Sequence, residues 1–188
     1  TYEYGATVTL GATMSNGYDW SKWTQTTGGT EVSTTKAYSF TMGTSNIAYT
    51  ANATAHSYTI TYTLNNGSHG TTHPSTYKIT DADFTISDPT RAGYTFTGWT
   101  VTTAPTAWGS GSSTSGAKNF KVATGTYGNI ALSANWTANT YTITYTLNNG
   151  THGTTHPDTY NITDADITIS DPTRTGYTFA GWTATTAG

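Results

Sequence analysis

The feature that most constrains the fold is a long internal repeat. Residues 58–100 return at residues 141–183, 83 positions further along the chain, with only six substitutions. Duplication on this scale is typical of proteins built from small modules in tandem, in which each module packs against its neighbours. Such an array predicts a function that belongs to the array as a whole rather than to one reactive centre.

A second feature links the first 57 residues to this unit. They contain an aromatic heptad that begins with Gly and ends with Trp, and both close copies contain it too. The three heptads are residues 17–23, 93–99 and 176–182. An alternating run that begins Asn-Ile-Ala also recurs, at 46–53 and 129–136. The beginning of the chain therefore corresponds to the back part of a diverged repeat.

The alignment divides the chain into three segments. We predict the back part of a diverged repeat at 1–57, a complete repeat at 58–140 and the front part of a third repeat at 141–188, and call them the first, second and third segments. The second carries seven more residues than the first between their shared runs. The surplus falls in the Gly- and Ser-rich stretch 101–118, which predicts an exposed loop. Because the chain begins and ends within the pattern, we expect a piece of a longer protein.

The hydrophobic period of the second segment is two residues, which predicts strands. Along residues 58–64, Tyr, Ile, Tyr and Leu alternate with Thr, so one face can be buried while the other contacts water. The Asn-Asn-Gly sequence at 65–67 tolerates positive φ and predicts a hairpin turn. Further strands are predicted at 75–80, 84–86, 120–122 and 130–136.

The heptad of the second segment leaves two local structures open. Tyr94, Phe96 and Trp99 follow one another at intervals of two and then three residues. This spacing is compatible with a strand that has a bulge at Gly98 or with one helical turn. Large apolar groups are scarce in a chain of which about a quarter is Thr. We therefore expect Trp99 and Trp136 to be buried in a core rather than exposed as a sugar-binding platform.

Charge and cysteine content exclude several classes of function. Only 9% of the residues are charged and the formal net charge is -3, so we expect no nucleic-acid partner. No apolar run approaches the roughly 18 residues of a membrane span, so we expect no membrane insertion. The chain contains no Cys, which excludes disulfides and thiolate chemistry. In an extracellular module of this size, that absence favours a bacterial source.

Three motifs of the second segment occur together in one known family. They are the opening run Tyr-Thr-Ile-Thr-Tyr-Thr-Leu-Asn-Asn-Gly at 58–67, Asp-Pro-Thr-Arg-Ala-Gly-Tyr-Thr-Phe-Thr-Gly-Trp at 88–99 and Asn-Ile-Ala-Leu-Ser-Ala-Asn-Trp at 129–136. In these motifs the chain resembles the Listeria-Bacteroides repeat, also called the internalin B-repeat. The first segment resembles a more divergent form of the same repeat.

The resemblance carries expectations about fold and function. It implies mainly β, β-grasp-like modules in tandem, with at most one short helix or helical turn in each. It also implies a non-catalytic stalk, spacer or adhesion module of bacterial cell-surface or secreted proteins, and hence an extracellular location. The partners expected from it are the neighbouring repeats of the same chain.

The hairpin of each close copy carries two histidines, which are candidate binding residues. They are His69 and His73 in the second segment and His152 and His156 in the third. A spacing of four would place two imidazoles on one face of a helix, but Gly70 and the Pro that follows His73 predict a loop instead. A metal site would need a third ligand, so we predict no metal here.

Trp108 is the remaining candidate binding residue, because it lies in the Gly- and Ser-rich stretch. Together with the loops 65–74 and 101–118, it raises an alternative function. In that alternative the repeat is an adhesion module that recognises a host glycan or a host protein. Spacer and adhesion module both remain open from the sequence.

The aspartates of each copy are explained by turns. Asp81, Asp83 and Asp88 could supply oxygen ligands to calcium or an acid-base pair, but the Gly and terminal Glu of an EF-hand loop are missing. Their side chains accept backbone hydrogen bonds at strand ends instead. We predict no catalytic residue and no cofactor. The unpaired strand edges of the incomplete segments predict one further interaction, edge-strand pairing between molecules.

Overall fold

The structure is a computed structural model of the chain, and it describes residues 2–185. Every regular element in this range is a strand. The mainly β prediction is confirmed. The described residues form no helix, which is within the expectation of at most one short helix in each module, and none of them belongs to a helix that could span a membrane.

The strands are short and follow one another along all three segments. In chain order they are β1 (Thr7–Leu10), β2 (Tyr18–Gln25), β3 (Glu31–Ser33), β4 (Tyr38–Thr41), β5 (Tyr49–Ala55), β6 (Ser57–Thr63), β7 (Thr76–Lys78), β8 (Phe84–Ile86), β9 (Tyr94–Thr103), β10 (Phe120–Val122), β11 (Ile130–Ala138), β12 (Thr140–Thr142) and β13 (Thr159–Asn161). The strands predicted from the period of two all form, with shifted bounds for the first two and the last.

The second segment folds around a mixed four-stranded sheet in the order β7-β6-β11-β9. Its last strand, β11, lies between β6, to which it is parallel, and β9, to which it is antiparallel. In this register Ile130 is opposite Ile60, and Ala134 is opposite Trp99. The strand that closes the segment in sequence is therefore at the centre of its sheet.

The core of the second segment includes residues of this sheet and of a two-stranded sheet formed by β8 and β10. Trp99 is 1% exposed and is the largest fully buried side chain, as the sequence predicts. Trp136 is half-buried at the edge of the core. The buried cluster consists of Ile60, Tyr77, Ile86, Phe96, Trp99, Phe120, Val122, Ile130, Leu132 and Ala134.

The heptad of the second segment forms a strand with an irregularity at Gly98. The pairing of β9 with β11 shifts register next to this residue, between Asn135 and Trp136. Gly98 has φ 135°, in a region that favours glycine, and a methyl group there would overlap the carbonyl oxygen of Gly116. Pairing with β11 therefore decides between the two local structures that the spacing allowed.

The Gly- and Ser-rich stretch 101–118 is only partly exposed, which corrects the prediction of an exposed loop. Gly109 is buried, and Trp108 is half-buried against the core. The stretch is held by backbone hydrogen bonds: Trp99 donates to Ala117, and Gly116 donates to Trp99. A core built from short strands leaves apolar surface uncovered, and this stretch covers part of it.

The first segment contains two small sheets, β1 with β4 and the three strands β3-β2-β5. Its heptad lies in β2 and pairs antiparallel with β5, as β9 pairs with β11. Val8 and Trp23 are its buried apolar side chains. The first segment thus repeats the arrangement of the back part of the second.

The third segment keeps the local structure of the second but not its core. β12 pairs with β13 as β6 pairs with β7. The described residues after β13 form no strand, so the heptad at 176–182 is not part of a sheet. Trp182, the counterpart of Trp99, is 41% exposed. The two sequences are nearly the same, so the difference comes from what packs against them.

Gly98→Ala and Gly181→Ala test this comparison as a matched pair. Both glycines have φ 135°, so either substitution strains the backbone by about 1–3 kcal/mol. Only Gly98 also faces a close backbone, that of Gly116, whereas nothing lies within 4 Å of the corresponding position at Gly181. Urea denaturation should show a larger loss of unfolding free energy for Gly98→Ala. Equal losses would contradict the proposed packing.

Candidate functional site

The histidine hairpin of the second segment is built by a tight turn after β6. Asn65 and Asn66 have φ 50° and 65°, a conformation that asparagine tolerates better than most residues. Ser68 then pairs with Thr90 through two backbone hydrogen bonds of 2.7 and 2.9 Å. The turn and this bridge fix the hairpin against the chain that leads into the heptad.

The two histidine rings of the hairpin stack on each other. The ring centroids of His69 and His73 are 4.2 Å apart with an interplanar angle of 15°, and the Tyr62 ring meets His69 edge-on at 5.1 Å. His73 Nδ1 lies 2.8 Å from the carbonyl oxygen of Gly70. A carbonyl only accepts, so this bond places a proton on Nδ1.

The third segment repeats this geometry. His152 and His156 stack at 4.3 Å, and Tyr145 meets His152 at 5.1 Å. All four histidines are exposed. The structure therefore brings the candidate histidines together in pairs, one pair in each close copy. It does so even where the rest of the repeat lacks a buried core.

The electrostatics of the hairpin disfavour charge on His69. Although the side chain is exposed, partial desolvation by its neighbours lowers the pKa of His69 below its ordinary value of 6.5, and the charge of His73 lowers this pKa further. Residues 2–185 contain no group of three or more His, Cys, Asp or Glu side chains arranged to hold a metal ion. The pair presents two stacked imidazole rings to solvent.

The aspartates of the second segment accept backbone hydrogen bonds, Asp81 within its own turn and Asp83 and Asp88 from residues far along the chain, which corrects the prediction that turns explain all three. Asp83 accepts hydrogen bonds from the Thr124 backbone at 2.8 Å and lies 2.7 Å from Lys121 Nζ. The bond from Lys121 and those from Thr124 lower the pKa of Asp83 to about 2. Asp81 accepts from the Lys78 N–H at 2.8 Å. Asp88 accepts from the Asn119 N–H at 2.6 Å.

Trp108 packs inward. Its ring centroid is 5.8 Å from that of Phe120, and the preceding residue, Ala107, forms a backbone bridge with Tyr127. A half-buried indole offers part of its surface to a ligand and uses the rest for packing. The candidate residue suggested by its loop composition is thus also a structural residue.

Residues that sequence reasoning missed connect successive segments. A methyl group at Gly17 would lie 2.8 Å from Ile79 Cδ1, and one at Gly93 would lie 2.9 Å from Ile162 Cδ1. In both contacts the glycine is the first residue of an aromatic heptad. The isoleucine belongs to the next segment, where it directly follows β7 or β13. We call these two contacts the inter-repeat joint.

Backbone hydrogen bonds repeat at the joint as well. The N–H of His56 donates to the carbonyl of Gly17 at 2.8 Å, and the N–H of Asn139 donates to the carbonyl of Gly93 at 2.9 Å. Each donor also makes a side-chain contact with its own heptad: His56 Nδ1 lies 2.7 Å from an Asp19 carboxylate oxygen, and Asn139 accepts from a Thr hydroxyl at 2.6 Å. Equivalent residues thus make both joints.

No fixed spacing in the sequence signals the joint. The separation between Gly93 and Ile162 exceeds that between Gly17 and Ile79 by seven residues. The second segment is longer than the first by the same number of residues in the stretch 101–118. A contact that tolerates this insertion must be set by the fold of each segment rather than by distance along the chain.

Family models cover all three segments. The model of the Listeria-Bacteroides repeat domain matches residues 58–135 and 141–188, and the model of the divergent InlB B-repeat domain matches residues 1–57. The chain belongs to the Listeria-Bacteroides repeat family. The resemblance read from the three motifs is thereby confirmed. No curated protein and no solved structure has a significant match to the chain.

The lowered pKa of His69 predicts a pH dependence of stability. Between this pKa and 6.5 the unfolded chain binds a proton that the folded chain does not, so unfolding becomes easier as pH falls. The contribution is fully present above 6.5 and is lost as the pH decreases through the lowered pKa. Urea midpoints measured from about pH 8 to 5 should fall more for the wild type than for His69→Phe, which keeps a ring without a titrating group. Parallel profiles would contradict the prediction.

Proposed function

We propose that this chain is part of a non-catalytic stalk or spacer, made of tandem repeats that stack through the inter-repeat joint. The observation that carries this proposal is the recurrence of the joint with equivalent residues. A repeat array is stabilised by its own units and by contacts between nearest neighbours. A joint that recurs gives successive units the same relative placement, which is what a spacer of defined length requires.

The linkers between the segments support the same function. β5 ends at Ala55 and β6 begins at Ser57, so one residue separates the last strand of the first segment from the first strand of the second. β11 and β12 are likewise separated only by Asn139. Linkers this short restrict bending far more than flexible Gly/Ser linkers of many residues do. The extended strands carry the chain directly from one unit into the next.

Surface chemistry and family membership support a location of this stalk outside the cell. Repeats of this family occur in bacterial cell-surface or secreted proteins, which suggests an extracellular location. The charge-poor, Thr-rich composition gives a polar surface with few sites for electrostatic attraction of partners. Asp81 and Asp83, which could have served as an acid-base pair, accept structural hydrogen bonds from the Lys78 and Thr124 backbone, which agrees with a structural role.

A second candidate is an adhesion module, and one observation favours it. The stacked histidines recur with the same geometry in both close copies and are exposed in both. A glycan array and a pull-down from host extracts test this candidate with the whole chain. Binding that is lost in a variant with His69 and His152 changed to Ala would support it. A pure spacer would bind no ligand in either assay.

The stalk proposal predicts that the joint limits motion between segments. Because the chain contains no Cys, Thr27→Cys and Thr114→Cys introduce unique labelling sites at exposed positions of the first two segments. Electron-paramagnetic-resonance distances between labels should be narrowly distributed, and Ile79→Ser should broaden them because it removes the apolar contact with Gly17.

The matched control is Ile47→Ser, which changes an exposed isoleucine of the first segment outside the joint. It should leave the distance distribution unchanged. A broad distribution in the parent chain, or one that is unaffected by Ile79→Ser, would count against a spacer built on this joint.

A further inference from the structure

The stacked histidines are the potential ligands that the proposed stalk function does not use. The chain contains five histidines, and four of them form two histidine pairs, His69 with His73 and His152 with His156. The fifth, His56, lies at the inter-repeat joint and belongs to neither pair. Imidazole nitrogens are common ligands of divalent transition metals. Each pair brings two such ligands together on the protein surface.

The loop that carries the first pair is fixed against the rest of the second segment. The N–H of Ser87 donates to the carbonyl of Thr72 at 2.9 Å, and its hydroxyl accepts from the N–H of Thr72 at 3.2 Å. A methyl group at Gly70 would lie 2.5 Å from the carbonyl oxygen of Asp88, so the loop backbone packs directly on the chain before the heptad. Ligands held by such contacts lose little conformational freedom when they bind an ion.

The third segment supports its pair with the equivalent contacts. Ser170 donates to the carbonyl of Thr155 at 2.8 Å and accepts from the N–H of Thr155 at 3.1 Å. A methyl group at Gly153 would lie 2.6 Å from the carbonyl oxygen of Asp171. None of the six substitutions between the close copies falls on these supporting residues. Each pair is therefore held by its own hairpin and by the short stretch on which the hairpin packs.

One histidine of each pair makes the hydrogen bond that orients a metal ligand. Nδ1 of His73 donates to the carbonyl of Gly70 at 2.8 Å, and Nδ1 of His156 donates to that of Gly153 at 2.9 Å. Histidines that bind metals almost always donate their other ring N–H to a carbonyl, a carboxylate or water, which fixes the ring orientation. Nε2 is then the nitrogen that a cation approaches, and the cation displaces any proton bound there.

The other histidine of each pair is held by a tyrosine. The ring of Tyr62 meets His69 edge-on at 5.1 Å, and its hydroxyl donates to the carbonyl of Pro74 at 2.8 Å. Because Pro74 directly follows His73, the tyrosine contacts both sides of the pair. Tyr145 repeats the two contacts in the third segment at the same distances. Both rings of each pair are thus positioned before an ion binds.

The separation of the rings suits one cation. Metal–nitrogen bonds are about 2.0–2.1 Å long, so one ion can be bound by two nitrogens that are up to about 4 Å apart. The ring centroids of the two pairs are 4.2 and 4.3 Å apart, and the interplanar angles are 15° and 16°. Within residues 2–185 no third His, Cys, Asp or Glu joins either pair. Two nitrogens completed by water oxygens form the tetragonal ligand set that Cu²⁺ prefers.

We propose that each histidine pair binds one Cu²⁺ ion, with the two imidazoles as protein ligands and water in the remaining positions. Among divalent first-row metals, Cu²⁺ binds a given nitrogen site most tightly. The chain then carries two equivalent sites, one in each close copy, 83 residues apart in the sequence. This proposal revises the expectation of no metal, which treated a third protein ligand as necessary. In a longer array, copper capacity would increase with the number of close copies.

Titration of the whole chain with Cu²⁺ at about pH 7.5 tests this proposal, because most histidines are neutral there. Calorimetry should show saturation at two ions per chain, and electron paramagnetic resonance should show one tetragonal signal with nitrogen coupling. His73→Ala should reduce the capacity to one ion per chain. The double variant His73→Ala/His156→Ala should bind none. Circular dichroism and urea midpoints equal to those of the wild type would show that the variants lose a ligand rather than the fold.

His56→Ala is the matched control, because it removes the histidine that is outside the pairs. It should leave the capacity at two ions per chain. Three results would overturn the proposal: fewer than two ions bound at saturation, a signal without nitrogen coupling, or a capacity that the His73 and His156 substitutions leave unchanged. If the double variant failed to fold, His73→Gln and His156→Gln would replace it, with the same expected loss. None of these results would alter the inter-repeat joint or the stalk proposal.

Discussion

The structure depends on the insertion of β11 between β6 and β9. Two nearly identical sequences show its effect, because Trp99 is buried beside β11 and Trp182 is exposed without such a strand. Contacts between close neighbours in sequence form in both copies, including the stacked histidines and an Arg over a Tyr ring at 3.6 and 3.8 Å. Long-range strand pairing, rather than local sequence, therefore buries the core.

The same strand connects the core to the array. β11 leads through Asn139 into β12, and Asn139 bonds to the carbonyl of Gly93 at the joint. Completing the core of one unit thus places the opening strand of the next. Spacing between units follows from the fold of each unit, so the proposed stalk needs no separate rigid linker.

The sequence predicted the elements that rest on short-range pattern and missed those that rest on packing. A period of two identified the strands, and Asn65 and Asn66 identified the turn. The heptad stayed ambiguous because only pairing with β11 makes it a strand. The cover formed by 101–118 was missed because Gly and Ser content indicates exposure only when a segment is considered alone. The joint at Gly17 was missed because it depends on packing between segments. The histidines were expected in a hairpin, but their stacking depends on the bridge that holds it.

Native-state hydrogen exchange across the two close copies tests the central claim most directly. If β11 is what buries the heptad, the amides of residues 94–101 should exchange slowly. Those of residues 177–184 should exchange many times faster despite their similar sequence. Comparable protection of the two heptads in the monomeric chain would contradict the account, because the heptad would then be ordered without a closing strand.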